Sequence, residues 1–430
     1  MASLSSQPYK GTRDYYPEQK RVQNYIFKTW RTVVERFGYE EYGAPILEPL
    51  DIYAAKSGQE LVNDQTYVFT DRGDRTVAIR PEMTPSISRM VAARRQEMAY
   101  PARLYSIANF MRYERPQRGR EREFWQLNVD IFGVDTVAAD IEVITIADAI
   151  LKEFGAGQDD YVIRVNNRTF IHFMMAQYFG LDIVAAGQLT KLFDRRGKIT
   201  EQDFEDQARI ILGDDADEQI EKIKQIIDAH SIEALPEELQ ASTSLDEIKL
   251  VFEGLKKQGV TNAIFDATLM RGLDYYTGTV FEAFDTHPDN NRSLFGGGRY
   301  DGLVGLFGAE PLSAVGMAPG NTMMENFLAV HNLIPEDVSL TDVYVAVIGD
   351  ALDGAQSIAL QLRNSGLKVE VDITGRKLDK QIKTAVKKKI SHVLFVGAEE
   401  VAAGEYTLKH LIDETEKKLS VSQIATTLKG

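Results

Sequence analysis

Between positions 112 and 122 the chain carries five arginines, Arg112, Arg115, Arg118, Arg120 and Arg122, against Glu114 and Glu121. This local excess of three positive charges lies between two strand-like runs, with Pro116 and Gly119 shaping a turn. Guanidinium forks grip phosphate oxygens in pairs, which suits both ATP and the end of an RNA. A solvated hairpin turn would carry the same charge. The string RGLDYYTGTVFE at 271–282 adds one cation, Arg271, and two adjacent tyrosines, Tyr275 and Tyr276. Cations on strands, with aromatics beside them and carboxylates nearby, suit a small zwitterion together with a polyphosphate. Two core tyrosines on a strand are the plain alternative.

Three further strings bear on chemistry. In RPEMT at 80–84, Glu82 and Thr84 end a strand-like run and face the same way, because strand side chains alternate. A carboxylate there can take an α-ammonium group, and an ordinary exposed Glu-x-Thr would look alike. In EFWQLNVDIFG, Gln126, Asn128 and Asp130 share one strand face, which is unusual if that face packs on a core. SLFGGGRYDGL at 293–303 is glycine-rich but lacks the GxxxxGK[ST] order, so it is not a P-loop. The six histidines show no metal-ligand spacing and read as structural or surface residues.

These residues need a scaffold. An amphipathic helix follows Pro17, with Val22, Ile26, Trp30, Val33 and Phe37 at steps of three or four and Gly38 as its stop. GYEEYGAPILEP reads as a strand and TYVFTDRGDRTVAIRPEMT as a hairpin. RLYSIANFMRYERP and EFWQLNVDIFG read as two strands joined by the arginine loop. The first 167 residues therefore predict an antiparallel sheet with helices on it, an α+β rather than a βαβ pattern. Residues 168–258 turn acidic and helical. Nine acids stand against Arg209 alone over 201–221; Ile220, Ile223, Ile226 and Ile227 make one stripe, and Leu250, Val251 and Leu255 help make another. Strand-like sequence returns at TLMRGLDYYTGTVFEAF, so 168–258 is expected to be an insertion between two parts of one domain, 1–167 and 259–332. After a linker, 338–430 alternates strands and helices as a small α/β domain. Its segment 376–389 holds seven bases, including Lys380 and Lys383, against Asp379; this is either a phosphate-tracking helix or a solvated face.

Composition sets bounds. A length of 430 residues predicts about three domains. No apolar run approaches the roughly 18–20 residues needed to span a bilayer, so no membrane segment is expected. MASLSSQPYKGTRDYYP lacks the apolar centre of a secretion signal. Without cysteine there is no disulfide, thiolate metal site or thiol nucleophile, which fits a cytoplasmic protein. The net charge of −15 does not exclude RNA, because contacts need only local basic patches.

Taken together, FMRYERPQRGREREFWQLNVDIFG and RGLDYYTGTVFE resemble the histidyl-tRNA synthetase family of class II aminoacyl-tRNA synthetases, and the resemblance runs over nearly the whole chain. It implies an antiparallel-sheet catalytic domain with a helical insertion and a C-terminal anticodon-binding domain. The implied activity is histidine–tRNA ligation with ATP, Mg2+ riding on the ATP. The implied partners are L-histidine, tRNA(His) and a second copy of the chain, paired through GAPILEP. Carried over by resemblance, Arg112 of motif 2 holds the α-phosphate, and Arg271 offsets charge as the carboxylate attacks. Arg120 and Arg122 take a share of the remaining phosphates or of the acceptor stem, with Gly316 at the nucleotide. Glu82 and Thr84 take the ammonium side of histidine, and Gln126, Asp130, Tyr275 and Tyr276 take the rest. An imidazole needs both a donor and an acceptor, and a site that hydrogen-bonds its ring rejects apolar analogues. Arg118, Arg120, Lys380 and Lys383 are the implied tRNA contacts. Arg299 and Tyr300 of the GGGRYD string are placed beside the site. Two positions depart from the pattern. Asp130 stands where many members have glutamate. AVGMAPGNTMMENF puts Met323 where the usual third motif, AVGFAxGLER, ends in an arginine for the ATP tail. The second departure favours one rival, the synthetase-like histidine-sensing regulatory subunit of ATP phosphoribosyltransferase. The C-terminal domain and the intact RGLDYYTG argue against it.

Overall fold

Two ten-residue strands, Ala102–Met111 and Glu123–Phe132, pair antiparallel along their whole length, from Ala102↔Phe132 to Met111↔Glu123. The arginine-rich stretch is the reversal between them. The computed structural model describes residues 4–54, 61–213, 216–271, 275–290 and 292–429. The chain forms two units, Met1–Ile334 and Pro335–Gly430.

In the first unit the two strands belong to an eight-stranded sheet. Its spatial order is Glu40–Glu41, Ala102–Met111, Glu123–Phe132, Ala314–Met317, Ser293–Arg299, Thr279–Asp285, Tyr161–Asn167 and Ala263–Phe265. The inner pairs are antiparallel and the two edge strands pair parallel. Alternation gives the sheet two faces. Leu127, Val129 and Ile131 enter a core shared with helices Pro17–Arg36, Ala138–Glu153 and Asn321–Val330. Gln126, Asn128 and Asp130 point the other way. Helix Pro17–Arg36 buries Ile26, Trp30 and Val33 and ends at Phe37, with Gly38 at φ +78°.

Several local expectations are corrected. GYEEYGAPILEP is two short strands, Glu40–Glu41 and Leu47–Pro49, in different sheets, because Gly43 and Pro45 break the run. The strand Thr76–Ile79 ends before RPEMT, and Thr84 opens helix Thr84–Arg94, where Pro85 fits because the first turn needs no donor there. Glu82 and Thr84 are thus a strand-to-helix corner. Arg271, Tyr275 and Tyr276 precede strand Thr279–Asp285 and are not on it. Gly272, Leu273 and Asp274 of that string lie outside the described residues.

The inserted helices have their own core. Phe170, Leu192, Phe204, Ile220, Ile223, Ile226 and Leu239 bury together, with Ile227 against them. Asp182 and Thr200 accept from backbone N–H groups as N-caps of helices Ile183–Arg195 and Glu201–Leu212. Helix Asp246–Lys257 closes the segment and faces two ways. Ile248 joins the inserted core, while Val251 and Leu255 join the sheet's core. Leu250, expected in that stripe, is exposed, because the buried stripe steps 248, 251 and 255.

In the second unit five strands order as Val369–Val371, Val343–Val347, His392–Val396, Tyr406–His410 and Glu416–Leu419. The first three are parallel and the last two add antiparallel, a mixed sheet.

Candidate active site

The polar face of the large sheet floors a cavity of about 450 Å3. It gathers Glu82, Thr84, Arg112, Arg120, Gln126, Asp130, Arg271, Tyr275, Tyr276 and Gly316, which come from separate stretches of sequence. Two strand pairings bring the far parts together. Gly316 lies opposite Asp130, and Gly296 lies opposite Glu282. Both glycines are needed for close approach: a Cβ on Gly316 would overlap Asp130 Oδ1, and one on Gly296 would overlap Arg271 Nη1.

Three cations line the cavity. Arg112 donates from Nε to Pro81 O at 2.9 Å, with its guanidinium 5.2 Å from the Phe124 ring centre. Glu114 stands 4.0 Å from Arg112 Nη1 and 3.2 Å from Arg120 Nη1, so one carboxylate holds two cations at the rim. Arg271 pairs with Glu282 at 3.1 Å, donates to Phe281 O at 3.3 Å and sits 5.3 Å from the Tyr276 ring centre. Burial disfavours its charge, and the fields of Tyr276 and Glu282 outweigh that, so the Arg271 pKa is raised.

Beside Arg271 the lining suits a small amine and a ring. Glu82 is 5% exposed and accepts from the Tyr275 hydroxyl at 3.2 Å. The Tyr275 and Tyr276 rings lie 4.9 Å apart, and Tyr300 stands 5.8 Å from Tyr275. Gln126 Nε2 donates to Ala318 O at 3.2 Å. Asp130 accepts from the Tyr300 hydroxyl, and its Oδ2 is buried with no partner among the described residues. Burial pushes the Asp130 carboxyl up to about 7 against the opposing pull of that hydrogen bond.

Some expected residues are elsewhere. Arg122 does not line the cavity: its Nη1 donates to the Tyr9 hydroxyl at 3.1 Å and to Lys10 O at 3.3 Å, and its Nε donates to Glu114 O. These bonds tie the loop to the segment at Tyr9 and Lys10. Arg118 is exposed on the loop, outside the cavity lining. Tyr300 lines the cavity, whereas Arg299 turns away to Asp140, Val134 O and Thr136 O. Lys380 and Lys383 lie on helix Leu378–Lys387 of the second unit, outside that cavity. There Arg376, Lys388 and Lys389 are paired with Asp372, Glu370 and Asp337. Lys377, Lys380, Lys383 and Lys387 carry no ion pair among the described residues. Glu282 was missed, although a lone carboxylate in the apolar run TVFEAF was a readable signal. Met323 does line the cavity. Among the described residues no group of three or more His, Cys, Asp or Glu is arranged to hold a metal ion.

An antiparallel sheet with a polar amino-acid floor and an arginine-rich hairpin over one end is the architecture of a class II aminoacyl-tRNA synthetase. The family model for histidyl-tRNA synthetase matches residues 11–320, and the anticodon binding domain model matches 342–430. The chain belongs to the histidyl-tRNA synthetase family. A histidine–tRNA ligase of Leptospira biflexa is 39% identical, covering 99% of this chain and 98% of its own. One of Haloarcula marismortui is 36% identical over 96% and 95%. The crystal structure of a histidyl-tRNA synthetase from Nostoc sp. covers 99% of both chains with a TM-score of 0.83 at 23% identity, a likeness of fold.

Proposed function

We propose that this cavity activates histidine with ATP and passes the acyl group to tRNA, each lining residue acting as its position and charge allow. The chain is a histidine–tRNA ligase, supported by the family match over 11–320 and by relatives of that name over its full length. A histidine carboxylate oxygen attacks the α-phosphorus, the bond to the pyrophosphate oxygen breaks, and pyrophosphate leaves. The terminal ribose hydroxyl of tRNA(His) then attacks the adenylate carbonyl. The ester forms, AMP leaves, and the hydroxyl proton passes to solvent or to the departing phosphate.

Arg112 holds the α-phosphate, and Arg271, fixed by Glu282 and Phe281 O, faces the negative charge that builds there. Preorganised donors of this kind act without reorganising at the moment of reaction. Arg120 takes the outer phosphates. Mg2+ arrives on those phosphates as part of the substrate, with Glu114 and Glu121 the lining carboxylates on that side. Glu82 and Thr84 take the ammonium group. Gln126, Asp130, Tyr275 and Tyr276 enclose the ring, with Asp130 as its hydrogen-bond partner. Arg118, Lys380 and Lys383 contact tRNA, and the proposed setting is the cytoplasm. No helix of the described residues is long and apolar enough to cross a bilayer.

The homodimer is proposed through the three-stranded sheet Leu47–Pro49, Thr76–Ile79 and Tyr67–Thr70, where Leu47 and Phe69 share one outer face at 45% and 44% exposure. Sedimentation at the monomer mass would remove it.

The observation that carries the ligase reading is the convergence of Arg112, Arg271, Glu82 and Asp130 on one cavity. ATP–pyrophosphate exchange with each amino acid in turn tests it. Exchange with histidine alone is expected. Histidine binding without exchange would point instead to a sensor of the phosphoribosyltransferase-subunit kind, the reading favoured only by Met323.

A further inference from the structure

Met323 lies near the start of helix Asn321–Val330 and, like Arg120, lines the cavity. Gly119 sits directly against it at φ +79°, and a Cβ there would overlap the Met323 sulfur. The thioether fits under the loop because residue 119 has no side chain. A flexible, polarisable thioether fills such an irregular gap well. A second tie runs alongside. Glu121 is 3.4 Å from Thr322 Oγ1 and 3.2 Å from Arg13 Nε, and Arg13 also pairs with Glu325 on the same helix. Residues 119 and 121 are thus both fastened to the helix, one by packing and one by charge. Arg120, between them, has a half-exposed side chain held by Glu114 and directed to the cavity.

We propose that Met323 and Gly119 form a seat that fixes the 112–122 loop over the cavity, so that the cation for the outer phosphates of ATP is delivered by the loop, as Arg120, and not by the helix. Met323 is then a positioning residue acting through Arg120. The inference rests on reading the cavity as an ATP site. An arginine at 323 would press a planar charge against the Gly119 backbone and compete with Arg13 for Glu121. Misplacing a phosphate ligand by about 1 Å costs on the order of 10²-fold.

The test is histidine-dependent ATP–pyrophosphate exchange in the full chain, with KM for ATP and for histidine measured separately. Met323→Ala and Gly119→Ala, which disturb the seat from opposite sides, are each expected to raise KM for ATP roughly tenfold or more, with KM for histidine within about twofold. Met323→Leu restores most of the loss. In Arg120→Ala the further change Met323→Ala costs little more, because both act through one group. If Met323→Ala does not fold, Gly119→Ala and Met323→Leu carry the comparison. A lower KM for ATP in Met323→Arg, or full additivity of Met323→Ala with Arg120→Ala, overturns the seat. Failure of the unmodified chain to exchange with histidine is a different result and strikes the ligase reading itself.

Discussion

Tyr300 and Asp130 meet across the sheet floor: the tyrosine hydroxyl donates to Asp130 Oδ1, and the second carboxylate oxygen has no partner among the described residues. Burial raises this carboxyl from an ordinary 3.8 to about 7. Between those values the folded chain binds a proton that the unfolded chain has lost. Stability therefore falls as pH rises through that window and levels off above it, by at most about 1.4 kcal/mol per unit. Asp130→Asn removes the titration. Its urea midpoint is expected to gain on that of the unmodified chain from pH 5 to pH 7, with little further gain by pH 8. A difference that stays constant over pH would mean that Asp130 does not titrate there.

Arg271 holds its place through Glu282, Phe281 O and the Tyr276 ring, so its charge is present before substrate arrives. Arg271→Ala is expected to lower the rate of histidyl-adenylate formation on the order of 10²–10³-fold, as for loss of one preorganised charge-stabilising donor. KM for ATP should change much less. Single-turnover adenylate formation by rapid quench reads the step directly. An unchanged rate removes Arg271 from the chemistry.

Arg120 and Arg122 are two residues apart and are expected to behave differently. Arg120 lines the cavity, and its guanidinium pairs with the rim carboxylate Glu114, whereas Arg122 is tied to Tyr9, Lys10 and Glu114 O. Arg120→Ala should raise KM for ATP and leave the unfolding temperature close to that of the parent. Arg122→Ala should lower the unfolding temperature, because it removes the side-chain bonds to the Tyr9 hydroxyl and Lys10 O, leaving the backbone bond from Arg122 N–H to Gly11 O. Calorimetry beside exchange kinetics separates them, and the reverse pattern would return Arg122 to the phosphates.

That contrast also marks where sequence reading stops. The alternation of Gln126, Asn128 and Asp130 with Leu127, Val129 and Ile131 states the two faces of the strand within a few residues, so the cavity floor was legible. The arginine loop was legible as a hairpin because both flanking strands are long and β-rich. Arg122 was not, since its partner Tyr9 is 113 residues away and nothing local distinguishes it from Arg120. The direction of Arg299 is hidden for the same reason: its buried partner Asp140 lies 159 residues away. The Glu82–Thr84 corner looks like strand in the sequence because the helix start at Pro85 is a single weak signal beside a clear β pattern. Leu250 falls outside the buried stripe because a one-residue shift in phase rotates a helical side chain by about 100°.

The second unit offers a different kind of test. Of the seven bases at 376–389, Arg376, Lys388 and Lys389 are committed to carboxylates, leaving a row that includes Lys380 and Lys383 on one helix. Phosphate contacts of this sort set affinity and its salt dependence without reading sequence. Lys380→Gln with Lys383→Gln is therefore expected to raise KM for tRNA(His) in aminoacylation and to flatten the dependence of log affinity on log salt, by roughly 0.7–0.9 per lost phosphate contact. Histidine-dependent pyrophosphate exchange in the same preparation serves as the reference for the first unit. If tRNA affinity and its salt slope both stay at the parent values, the row is a solvated face and the RNA contacts of this unit lie elsewhere.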